Sequence, residues 1–351
     1  MAEFESGFAE LVGSTHALSV ANGTAALHLC LLAIGCGPGD EVILPSLNFV
    51  AAANAIAHTG ARPVFCDIGG QHDLNLAPAD VEAALTPATK AILVLHYGGF
   101  PCDIQAVLDL AGQRGIAVLE DAAHAPGARL DGKACGTFGV AGCFSFFSNK
   151  NLAMGEGGMI TTDDDDVAGR LRLLRSHGMT TLTWDRHRGH AHSYDVLTQG
   201  FNYRLDEIRA AIGLVQLSHL EERNARRGVL WRHYVERLQD AAPLVVPSFG
   251  QKGEATPAHH LAVVLLPPDA RRDDVRSQLA VEGIQTSVHY PPIHRFTTYA
   301  SANERALPQT ERLADRLLTL PLYPHMTIEQ ADRVSDVLLA ALTTAESAAA
   351  V

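Results

Sequence analysis

Short apolar runs recur along the first part of the chain and are separated by stretches of helical character. The runs are Glu41 to Leu44, Pro63 to Asp67, Ala91 to Leu95 and Ile116 to Glu120, and among them lie Pro78 to Leu85 and Ile104 to Gly112. Strands that alternate with helices predict an α/β fold: a mainly parallel sheet with helices on both faces. Such a sheet gathers its ligands at the carboxyl ends of the strands. Past Arg204 the pattern changes to one long polar-apolar helix through Leu238, whose Glu221 to Arg227 run reads as a solvated face. A turn-rich stretch, Pro243 to Pro257, then leads to a smaller α+β unit. It is expected to hold a strand from His260 to Leu266, a helix from Arg272 to Glu282, a strand from Ile284 to Tyr290 and a closing helix from Ile328. A chain of 351 residues is too long for one small core, so two unequal domains are expected, 1–235 and 236–351. The Ala-rich end, Ala348 to Val351, is expected to fray.

Three segments carry chemistry. Phe144 to Gly158 reads as a buried strand, a polar turn bearing Lys150 and a glycine-rich hairpin. The chain has only four lysines, Lys90, Lys133, Lys150 and Lys252, and Lys150 alone lies in a Gly-rich, apolar setting suited to a Schiff base. On this segment by itself an exposed turn lysine reads equally well. Upstream, the strand Ile116 to Leu119 ends in Glu120 and Asp121, followed by the small-residue loop to His124. A carboxylate there can keep a pyridine-type nitrogen protonated, or it can cap the following turn. The third segment, Asn22-Gly23-Thr24-Ala25, opens an apolar helix whose first N–H groups can bind a phosphate. An ordinary turn and cap reads the same way. Neither a Gly-x-Gly-x-x-Gly spacing nor a Walker ending is present, so dinucleotide and ATP readings have no support.

Composition narrows the class. A formal charge of −12, with no basic cluster, argues against nucleic acid. The six cysteines have no C-x-x-C spacing, so neither a zinc site nor a disulfide framework is expected, and thiols reduced in the cytoplasm fit best. No apolar leader and no run of 18 apolar residues occurs, which speaks against a membrane span. Two features invite a metal reading, Asp163 to Asp166 and the His187, His190, His192 stretch, but helix-start acids and a surface loop are the better readings. No metal is expected.

Taken in order, these segments resemble the DegT/StrS family of pyridoxal-phosphate aminotransferases, sugar aminotransferases of fold type I. The likeness runs nearly end to end. It includes Asn22 to Leu27, Gly37 to Ser46, Phe49 to Asn54, Glu120 to His124, Ser145 to Gly158, Gly200 to Glu207, His289 to His294 and Leu320 to Pro324. The resemblance implies that Lys150 binds the cofactor as a Schiff base and shuttles the proton, and that Asp121 pairs with the pyridine nitrogen. It implies that Phe49 stacks on the ring and His124 packs near its other side. Gly23, Thr24, Ala25 and Ser145 would cradle the phosphate. Asn202 would reach that phosphate from a neighbouring subunit, which makes the expected assembly a homodimer with shared sites. His289 and Tyr290 would border the substrate, and Arg204 reads either as a further substrate contact or as the structural ion pair more usual for an arginine in such a place.

The expected reaction moves an amino group from glutamate or glutamine to a keto sugar on a nucleoside diphosphate, or to a keto cyclitol. Three other readings stay in view. A sugar-deoxygenating branch of the family replaces the lysine with histidine, and Lys150 is present. Synthesis of an amino-aromatic compound or amino-cyclitol precursor, with transfer coupled to dehydration, retains the lysine. A binding protein without turnover would have no use for Lys150, Asp121 and the cradle together. The chain departs from the family in two places. The usual N-terminal arm before Phe4-Glu5 is expected to be either missing or cut off by a misassigned start, and its absence would change how the acceptor is held. Phe147-Ser148 stands where relatives often carry a polar or aromatic pair, which is expected to alter the pocket and leave the core chemistry alone.

Overall fold

The computed structural model describes residues 1–180, 193–250, 253–301 and 305–349. A seven-stranded sheet is built from β1 (His16–Val20), β2 (Glu41–Pro45), β3 (Arg62–Cys66), β4 (Thr89–Leu95), β5 (Ala117–Asp121), β6 (Ala141–Ser145) and β7 (Gly158–Thr162), in the order β1-β7-β6-β5-β4-β2-β3. β7 runs antiparallel to β1 and β6, and every other pairing is parallel. Around it lie α1 (Ala2–Val12), α2 (Gly23–Ala33), α3 (Ala51–His58), α4 (Pro78–Ala84), α5 (Ile104–Gly112) and α6 (Asp165–Arg175).

The apolar runs are continuous because both faces of the sheet are covered. Side chains alternate faces along a strand. Val42, Leu44, Ala91 and Leu93 enter a core shared with α2 and α3, while Ile43, Ile92 and Val94 enter another with Val81 of α4 and Val107 of α5. Helix α2 is apolar nearly all round and is buried accordingly; Asn22 caps it by accepting the Ala25 N–H at 2.8 Å. Phe4 and Phe8 of α1 meet Phe146 edge-on with centroids 5.5 Å away in each case, anchoring the turn that carries Lys150. The parallel strands all end on one side, so the segments after Pro45, Leu95, Asp121 and Ser145 converge there.

Two expectations about the second half are corrected. The helix expected to run unbroken to Leu238 is two, α7 (Glu207–Ser218) and α8 (Leu220–Leu238), which part at His219. Segment 284–290 is not a strand: its only ladder contact is the bridge from Ser287 to Thr319. The segment is drawn off the sheet because the His289 carbonyl accepts the Tyr97 hydroxyl and the His289 ring bonds Thr319 Oγ1 at 2.9 Å. The small unit's sheet therefore consists of β8 (Ala262–Leu265) and β9 (Leu317–Leu320), antiparallel and covered by α9 (Arg272–Val281) and α10 (Ile328–Ala349). Helix α8 belongs to both units. Leu220 packs with Phe4 and Phe8, whereas Leu230, Tyr234 and Leu238 join the small core.

Candidate functional site

A cavity of about 440 Å³ opens over the carboxyl ends of the parallel strands. Asp121 ends β5, and Lys150 sits in the turn after β6; both line this space, together with the start of α2. Asp121 is 6% exposed, and its Oδ1 accepts the Ala123 N–H at 3.1 Å. Burial pushes its carboxyl up from the ordinary range, and the Ala123 N–H and the charge of Lys150 work against that shift. Lys150 is pulled down to about 8 by burial, opposed by the Asp121 carboxylate. A lysine in that range keeps roughly a tenth of its amine neutral at pH 7 and can act as nucleophile and proton carrier.

The helix start is shaped for a phosphate. Gly23 and Thr24 are the first two residues of α2, so their N–H groups have no intrahelical acceptor. The Ala25 N–H is committed to the Asn22 cap, which leaves Gly23 and Thr24 as the free donors of the expected cradle. A Cβ on Gly23 would meet Ser145 Cβ at 2.8 Å, so only glycine lets the hydroxyl of Ser145 sit this close to the helix start. One amine, one buried carboxylate, and N–H and hydroxyl donors at a helix start are the donor set that pyridoxal phosphate requires.

Aromatic groups form the walls. Phe49 is 56% exposed to the cleft, with its ring centroid 5.8 Å from that of Tyr290. His124, fully enclosed, accepts the Gly98 N–H at Nδ1 (3.3 Å), and burial with the nearby Lys150 charge holds it neutral, well below the usual histidine range. The proton of the neutral ring therefore sits on Nε2, which donates to the Tyr290 hydroxyl at 2.7 Å. That leaves the Tyr290 O–H free to donate into the cavity. Gly99 (φ +87°) makes this crossing possible, because a Cβ there would stand 2.7 Å from the His124 carbonyl. His289 also lines the cavity, and burial and Lys150 pull it down to about 4.

Two expected residues lie elsewhere. Asn202 is exposed and bridges Ser176, and Arg204 bridges Val20. Neither lines the cavity of its own chain. Asn48, which also lines it, went unread in the sequence although it neighbours Phe49; its Oδ1 accepts the Phe49 N–H at 2.6 Å. Tyr97, which pins the His289 carbonyl, gave no sequence signal, because the contact spans 192 positions. Among the four acids, Asp164 caps α6 through the Asp166 and Val167 N–H groups, and Asp163 accepts the Thr15 N–H. His187, His190 and His192 lie outside the described residues, and among those described no cluster of three or more His, Cys, Asp or Glu could hold a metal. No described helix is long and apolar enough to cross a membrane.

The sequence model of the DegT/DnrJ/EryC1/StrS aminotransferase family matches residues 1–339. The spore coat polysaccharide biosynthesis protein SpsC of Bacillus subtilis is 40% identical over 342 residues, spanning 95% of this chain and 87% of the relative. Among solved structures, S. venezuelae DesV in complex with a ketimine intermediate superposes with a TM-score of 0.89 at 38% identity, covering 98% of this chain and 89% of that one. Helicobacter pylori PseC, an aminotransferase involved in pseudoaminic acid biosynthesis, gives 0.90 at 27% identity, covering 98% and 91%.

Proposed function

This chain belongs to the DegT/DnrJ/EryC1/StrS aminotransferase family, PLP-dependent enzymes, and from that premise we propose that it carries an amino group from glutamate or glutamine to the keto group of a nucleotide-linked sugar or a keto cyclitol. The observation that carries this reading is Lys150, pulled down to about 8, in one cavity with buried Asp121 and a helix start bearing free N–H groups. A sugar acceptor is favoured over an aromatic one because SpsC is named for polysaccharide biosynthesis and PseC for pseudoaminic acid.

Pyridoxal phosphate, when bound, supplies an electron sink for the electrons left when the donor's α-proton is removed. In this reading Lys150 would hold the aldehyde end until the donor's amine displaces it, and the freed lysine amine would then move that proton, as base and then as acid. Asp121 keeps a proton on the ring nitrogen, and the Gly23 and Thr24 N–H groups with Ser145 hold the phosphate. Phe49 and His124 flank the ring. Asn202 completes the phosphate site of a second copy, and His289 and Tyr290, which line the cavity, face the substrate. The exposed stripe Ile208, Ile212 and Val215 on α7 supports the homodimer that Asn202 requires. Six buried, unbridged cysteines support a cytoplasmic setting.

The test is the visible spectrum of protein with pyridoxal phosphate, before and after L-glutamate or L-glutamine, beside Lys150→Ala. Wild type is expected to show a cofactor band that either donor converts, and the variant to lack the conversion. A wild type with no cofactor band would sink the reading.

A further inference from the structure

A second cavity, of about 570 Å³, adjoins the first: Asn149, next to Lys150, and His289 line both. Its innermost cation is Arg227 of α8, 6% exposed. Nη1 of Arg227 donates to the carbonyls of Leu322 (2.8 Å) and His260 (3.5 Å), but Nε has no acceptor. Among the described residues no carboxylate pairs with it. A buried cation held only by neutral groups is costly until an anion joins it. Glu282, the one carboxylate in the lining, is exposed and faces Arg333 at 3.6 Å.

The same cavity holds an unused acceptor. His260 is 6% exposed, and its ring contacts Asn151 Oδ1 at 3.0 Å through Nδ1. The Asn151 amide nitrogen is committed to Asn224 and to the Ala258 carbonyl, so Asn151 Oδ1 accepts and His260 Nδ1 carries the proton. Burial and the surrounding positive charges keep the ring neutral, so Nε2 is a bare lone pair, and no partner meets it. One unpaired cation and one unpaired acceptor complement a carboxylate and an amine, the two groups every α-amino acid carries.

We propose that this cavity receives the amino acid donor, with Arg227 holding its carboxylate and His260 accepting a hydrogen bond from its amino group beside Lys150. The inference rests on the transaminase reading above and adds the donor's binding site to it. The experiment follows the spectral half-reaction of holoenzyme against L-glutamate concentration in wild type, Arg227→Gln and Arg227→Lys. Arg227→Gln is expected to raise the half-saturating concentration about tenfold or more, the loss of a charge-assisted hydrogen bond, a larger change than any in the limiting rate. Arg227→Lys is expected to recover part of that loss. Unchanged half-saturation in Arg227→Gln overturns the proposal. Should that variant fail to fold, a structure of wild-type holoenzyme with α-methyl-L-glutamate decides: a carboxylate at Arg227 supports the site, and one held elsewhere overturns it. Failure of the transaminase reading looks different, since wild type would then bind cofactor and respond to no amino acid.

Discussion

Lys150 costs the folded chain stability in order to be reactive. Its ammonium gives up water in the cleft, and the Asp121 carboxylate returns only part of the loss, so the amine sits at about 8 where an ordinary lysine sits at 10.5. Below pH 8 both folded and unfolded chains carry the proton, and the folded one bears the full desolvation cost. Between 8 and 10.5 the unfolded chain holds a proton that the folded chain has released, so stability rises with pH across that window. Lys150→Met is therefore expected to melt above wild type at pH 7 in cofactor-free protein, with the gap narrowing as pH approaches 10. Melting curves of the two proteins across that range check it, and a gap that does not change with pH would remove the argument. Lys150 and Asp121 were legible in the sequence as candidates, one in the turn after an apolar strand and one at the end of another, and the family's other motifs decided between the readings that each segment left open. Arg227 was not legible. In sequence it is one more charge in a Glu and Arg run, and only packing against the His260 and Leu322 carbonyls separates it from the solvated face.

At the scale of elements, the segment from Ile284 to His294 shows where sequence pattern fails. Ile284 to Tyr290 looks like a strand, yet the segment's partners are scattered: Thr319 on β9, the Tyr97 hydroxyl, His124, and Ser46, whose hydroxyl meets His294 Nδ1 at 2.7 Å. Those contacts span up to 248 positions, so no local pattern could announce them. They turn the segment into a strap that fixes Tyr290 over the cleft. Tyr290→Phe keeps the ring against Phe49 but removes the acceptor for His124 Nε2–H and the hydroxyl proton aimed into the cavity. A buried donor left unmet costs about 1–3 kcal/mol. The variant is expected to lose about that much stability in urea titration and to lower kcat/KM for the acceptor about tenfold. Wild-type stability and kcat/KM together would mean that the His124 to Tyr290 bond is idle. The strands themselves were readable, because Val42 to Leu44 and Ile92 to Val94 are apolar on both faces, which only a doubly covered sheet permits.

For the whole molecule, the parallel order of β6-β5-β4-β2-β3 places the segments that carry Phe49, Asp121 and Lys150 at one edge of the sheet, and that arrangement follows from the strand order more than from any single residue. On the reading that Asn202 serves a second copy, the edge is completed only by that copy. Asn202 faces outward, and α7 offers Ile208 at 77%, Ile212 at 42% and Val215 at 59% exposure on one helical face. Residues at i, i+4 and i+7 form a single stripe, and each aliphatic side chain fully buried is worth about 1.5–3 kcal/mol. A second copy that covers the stripe would also bring its neighbourhood, including Asn202, toward the partner's phosphate cradle. Wild type is accordingly expected to scatter light as twice the 37.5 kDa chain. Ile208→Glu with Val215→Glu places two charges in that contact, and burying an unpaired charge outweighs the apolar gain. The double variant is expected to run as a single chain and to need more pyridoxal phosphate for half-saturation, since the donor from across the interface is gone. A dimer that survives both charges would place the interface on another face, and a monomeric variant with unchanged cofactor affinity would remove Asn202 from the phosphate site.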